Sequence, residues 1–167
     1  MHRLFRLGMA ALIALFAVGL VGRSTTASAA PATCTANLTI FTTTPGTITM
    51  EGETTHVRDS GVGGQYTAGF LAGSTFTGAQ DFVVDNTNRT SQLQGGYTIT
   101  GPEGTLMLRY TGHADLTTGT ATGHFVTTGG TEKFADFHWE GDISAQLVGL
   151  TPPTFIVTDS GPCHYAP

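Results

Sequence analysis

His138, Glu140 and Asp142 stand two apart within residues 119–143, GTATGHFVTTGGTEKFADFHWEGDI. On an extended strand this spacing puts the three side chains on one face, neighbours roughly 7 Å apart. A histidine beside two carboxylates could exchange protons or supply part of a metal shell. The intervening residues weigh against that chemistry. Phe137, Trp139, Ile143 and Leu147 share the opposite face and are strongly apolar. If they look into a core, His138, Glu140, Asp142, Ser144 and Gln146 look into solvent. We therefore read this stretch as the wall of a β structure with its tryptophan inward.

Other reactive side chains are scattered. His113 and His124 fall on adjacent strand-like runs and, with His138, could in principle form a three-histidine site. No His-x-His spacing supports it, so no metal is expected. His56 and His164 read as surface residues. Arg109 lies on a strand beside Met107 and Thr111, where it either anchors an acidic ligand or pairs on the outer face. There is no Gly-x-Ser-x-Gly elbow, no phosphate loop and no free cysteine beside a base. Hydrolase and nucleotide chemistry therefore have no support, no cofactor is implied, and no catalytic residue is assigned.

The chain bounds these choices. Arg3 and Arg6 precede an apolar run from Leu7 to Val21, and Ala27-Ser28-Ala29-Ala30 follows, in the order of a secretory signal peptide. We place the signal at 1–29 and a single domain at 30–167, with an extracellular or periplasmic destination. Cleavage leaves Arg58, Arg89, Arg109 and Lys133 against twelve acids, a net charge of −8. So acidic a surface repels nucleic acid and anionic lipid, and neither nucleic acid nor, after cleavage, a membrane is expected as a partner.

Composition and periodicity point to an all-β chain. Thr and Gly are abundant, and no window keeps a helical period. Strand-like runs fall near 36–43, 46–51, 65–70, 75–84, 93–100, 104–113, 121–127, 135–147 and 154–158. The polar stretch 51–64 reads as a long exposed loop, NTNRTS at 86–91 as a turn, and Gly129-Gly130 as a hairpin turn. Leu106, Leu108 and Tyr110 share one face of their run. Two architectures fit: a closed antiparallel barrel of roughly eight strands, or a two-sheet β-sandwich. Cys34 and Cys163 lie near the two ends of the mature chain, and an oxidising compartment favours a disulfide between them. Such a bridge brings the first and last strands together, as at the seam of a closed barrel.

Gly119-Thr-Ala-Thr-Gly123, Gly129-Gly130-Thr131 and Lys133-Phe134-Ala135 resemble a pattern of the allene oxide cyclase and dirigent-like barrels and their secreted bacterial relatives. The likeness covers 65–148 loosely and 119–135 best. Glu132 stands where the family usually has Gly, and Asp136-Phe137-His138-Trp139 replaces a Gly- and Ala-rich continuation. The resemblance implies an eight-stranded barrel able to hold a small apolar molecule, and no catalytic residue carries over. The leading expectation is a ligand-binding barrel walled by Leu106, Leu108, Tyr110, Phe137 and Trp139, with Arg109 or His124 as its polar contact. A cyclase or isomerase in the same barrel would need one ionisable group facing inward, for which His124 and Arg109 are the candidates. The third reading is a structural or surface-interaction protein.

Overall fold

The computed structural model describes residues 32–166, so the expected signal segment 1–29 lies outside it. Nine antiparallel strands follow one another: β1 (Ala32–Thr44), β2 (Thr47–Glu51), β3 (Thr54–Gly69), β4 (Thr75–Asp85), β5 (Thr90–Gly101), β6 (Gly104–Asp115), β7 (Thr120–Gly130), β8 (Phe137–Leu150) and β9 (Pro153–Tyr165). One 3-10 turn, Glu132–Phe134, precedes β8. From β3 to β9 each strand pairs with the next, and β1 closes the ring between β9 and β3. The result is a closed eight-stranded barrel with β2 as an extra strand, and the sandwich is excluded.

β1 and β2 share β3 in tandem: Thr44 pairs with Gly61 and Thr47 with Arg58. Pro45-Gly46 makes the step between them. Gly46 has φ +75°, and a Cβ there would run into the Arg58 carbonyl, so only glycine fits.

Alternation is what makes a barrel of this chain. On β6, Leu106, Leu108 and Tyr110 are buried while Met107, Arg109 and Thr111 are exposed. On β8, Phe137 and Trp139 are buried, Ile143 is half-buried, and His138, Glu140 and Asp142 are exposed. The reading of 137–147 as wall therefore holds.

Two expectations fail. Residues 54–64 are not loop but the first part of β3, laddered to β4 except at Arg58-Asp59 and to β2 or β1 on the other side except at Asp59-Ser60. The Gly-rich, polar composition hid the strand because partners on both sides, not its own propensity, hold it. It buries Val57, Ser60 and Val62, and a bulge at Arg58-Asp59 resets the alternation. Gly129-Gly130 is also not the turn. The pair ends β7 opposite Leu106 and Met107, and the chain reverses over Thr131–Asp136.

The seam is as expected. β1 and β9 pair from Ala32↔Cys163 to Phe41↔Thr154, and Cys34 and Cys163 form a disulfide with Cα atoms 5.7 Å apart.

Candidate functional site

Inward side chains change size along the barrel axis. At the end that holds the disulfide, strands β6, β7 and β8 send in Leu106, Leu108, Tyr110, Phe125, Phe137 and Trp139. Towards the other end the same strands send in Gly112, Ala114, Gly123, Ala121 and Ala145. Gly112 and Gly123 face each other across the ladder. A Cβ on Gly123 would meet the Thr111 carbonyl oxygen. This part of the wall is therefore bare backbone.

The large residues plug one end. Trp139 is 1% exposed, with its ring centroid 4.4 Å from Phe125 and 4.9 Å from Phe70. Leu71 from the β3–β4 turn and Phe134 from the 3-10 turn complete the packing. An eight-stranded barrel is just wide enough to be filled this way or to hold one small ligand. This chain does one at each end.

Above the plug lies a cavity of about 250 Å³. Leu38, Val62, Leu93, Ile143, Phe155 and Val157 form much of its wall, and it reaches the rim at Leu116 and Pro153. That volume lies just below the range of about 300–1,000 Å³ usual for small-molecule pockets. Its size suits a ligand on the order of ten non-hydrogen atoms, taking about 30 Å³ for each.

One carboxylate lines this cavity. Asp159 on β9 is 0% exposed. Its Oδ2 accepts from the Tyr97 hydroxyl at 3.2 Å and from the Tyr66 hydroxyl at 3.5 Å. Those two hydroxyls lie 3.2 Å apart. The Tyr110 hydroxyl beside them donates to Gln80 Oε1 at 2.9 Å. Asp159 Oδ1 has no hydrogen-bond partner among the described residues. Burial pushes the Asp159 carboxyl up to about 7, against the downward pull of the two tyrosine hydrogen bonds. Burial likewise holds the Tyr66, Tyr97 and Tyr110 phenols well above their ordinary range.

A linkage prediction follows from Asp159. The folded protein holds this proton more tightly than an unfolded carboxyl of ordinary value 3.8. Lowering the pH from 8 to 5 should therefore stabilise the fold through this one group, by about 3 kcal/mol. Asp159→Asn should remove that gain, seen as a flatter dependence of urea midpoint on pH. Identical profiles for the two proteins would mean that Asp159 ionises as if in water. The turn carboxylates Asp85 and Asp115 act in the opposite sense. Backbone N–H groups hold both below the usual range, so their contribution is lost only at lower pH.

The cavity uses few of the residues expected from sequence. Tyr110 lines it. Leu106, Leu108, Phe137 and Trp139 are inward as expected, but they belong to the plug below it. Arg109 and His124 are exposed on the outer face, so neither can be an inward polar contact or an inward acid or base. Each alternates with buried neighbours, Arg109 with Leu108 and Tyr110, and His124 with Phe125. His124 instead meets Asp142, Nδ1 to Oδ1 3.5 Å, on the surface. The three-histidine arrangement does not assemble: His138 stacks on His164, ring centroids 5.3 Å apart.

Asp159 is the residue that strand reading missed. The run 154–158 stops one residue short of it, because Ser160-Gly161-Pro162 resembles a turn. In fact β9 continues to Tyr165. Phe155, Val157, Asp159, Gly161 and Cys163 then share one face. The disulfide carries the missing signal: if Cys163 lies at the seam, the strand that brings it there must pass through Asp159.

No family model, curated protein or solved structure matches the chain.

Proposed function

We propose that this protein is a secreted binding barrel, akin to the allene oxide cyclase and dirigent-like barrels, that takes one small apolar molecule into the cavity above its aromatic plug. The observation that carries the reading is the cavity itself. Its wall is mostly apolar, and it exists because Gly112, Ala114, Ala121 and Gly123 stand where large side chains would otherwise fill the barrel. Apolar burial then supplies the driving force, roughly 25 cal/mol per Å² removed from water. Export after removal of the signal segment fits the disulfide, and the acidic surface fits a partner other than nucleic acid or anionic lipid.

The test is calorimetric titration with 1-octanol. We expect one molecule bound per chain. Ala114 is buried and lines the cavity, so Ala114→Phe should abolish binding at little cost in melting temperature, because the new ring occupies existing space. No heat with the unaltered protein, or undiminished binding by Ala114→Phe, would refute the proposal.

A second reading, a cyclase or isomerase in the same barrel, has one observation in its favour. Asp159 is an ionisable group that faces inward, with a pKa suited to exchanging protons near neutral pH.

A further inference from the structure

We propose that the cavity selects an apolar ligand ending in a protonated amine, with Asp159 Oδ1 as the acceptor of that head group. The inference rests on the binding reading above and names the ligand class.

Asp159 is fully buried, yet one of its oxygens has no partner among the described residues. A buried acceptor left unpaired is costly, and a buried carboxylate without a counter-charge costs more. Among the described residues nothing supplies a counter-charge. Among the described residues, no Arg, Lys or His lines the cavity. The ladder neighbours of Asp159 are Ala36 on β1 and Ile143 on β8. The titratable groups that face it are the phenols of Tyr66 on β3 and Tyr97 on β5, with Tyr110 on β6 beyond them. β4 contributes Gln80 and β7 contributes Gly123 to the same space. Both facing phenols already donate to Oδ2.

A ligand hydroxyl would satisfy Oδ1 but leave the charge uncompensated. A ligand carboxylate would add a second negative charge. An ammonium group does both jobs, giving a donor to Oδ1 and a positive charge to the carboxylate. Its apolar tail would lie along Leu93, Ile143 and Val157 towards the rim. The entrance agrees in sign. Asp85 and Asp115, in the turns at the open end, are held ionised by backbone N–H groups and flank Thr90 in the ladder, with Arg89 as the one cation in those turns.

The experiment compares 1-octylamine, 1-octanol and octanoate against the whole mature protein at pH 8 by calorimetry. Octylamine should bind about tenfold or more tightly than octanol, as a charge-assisted hydrogen bond implies, and octanoate should bind weakest. Asp159→Asn should bring octylamine down to the level at which the same variant binds octanol. Octanol binding as tightly as octylamine, or an amine preference that survives Asp159→Asn, overturns the assignment while leaving the binding cavity intact. Failure of all three ligands overturns both. The unaltered protein gives a second, independent readout. An alkylamine stays protonated below about pH 10, so the ratio of amine to alcohol affinity should fall about tenfold between pH 8 and pH 5.5 as Asp159 takes up its proton. A ratio that does not change across that range contradicts the proposal even if Asp159→Asn does not fold.

Discussion

Replacing Cys34 and Cys163 together by serine should cost about 4 kcal/mol of folding stability, seen as a large drop in the urea midpoint. The bridge spans 129 residues, nearly the whole described chain. Cutting it frees the unfolded chain far more than the folded one. The folded barrel also loses the covalent tie at its seam, where Ala32 pairs with Cys163 and Cys34 with Gly161. The rest of the β1–β9 ladder remains, so the substituted protein should keep its far-ultraviolet signature at low temperature. Typical domains are stable by only about 5–15 kcal/mol, so this single change should decide whether the barrel survives warming. A midpoint within error of the unaltered protein would mean that the ladder alone sets the seam.

Trp139→Ala should be of similar size, about 4 kcal/mol, because it empties the centre of the plug. Phe70 from the β3–β4 turn and Phe125 from β7 pack against the indole on two sides, and β7 and β8 are too constrained by the ladder to collapse into the gap. Trp139→Phe should cost far less. The indole N–H is buried without a hydrogen-bond partner among the described residues, so its removal gives back part of what the lost packing takes. Urea titrations of the two variants check the contrast. Equal losses would mean that the N–H, not the ring, holds the position. Trp139 is the only tryptophan in the sequence, so fluorescence of the unaltered protein reports directly on the plug.

The strands with large alternating residues were the legible part of this fold. Leu106-Met107-Leu108-Arg109-Tyr110 and Phe137-His138-Trp139-Glu140 fix which side faces inward, because a one-residue slip would expose every large side chain. The same logic places Arg109 and His124 outside, since they alternate with buried Leu108, Tyr110 and Phe125. β3 was illegible over 54–64 because its glycines and polar residues are stabilised by neighbours far away in sequence, and because the Arg58-Asp59 bulge breaks the period. The cavity was illegible for a different reason. Large inward residues announce a core, but a cavity comes from what is small: Gly112, Ala114, Ala121 and Gly123 look like weak strand positions until their place on the inner face is known. Asp159 needed both pieces, the full length of β9 and the side on which it lies.

The most direct test of the cavity is a methyl NMR titration with 1-octanol. The account predicts saturating shifts for the methyls of Leu38, Val62, Leu93, Ile143 and Val157, which line the cavity, and little change for Leu106 and Leu108 in the plug. Shifts centred on Leu106 and Leu108, or on the exposed Val148 and Ile156 of the outer face, would contradict it.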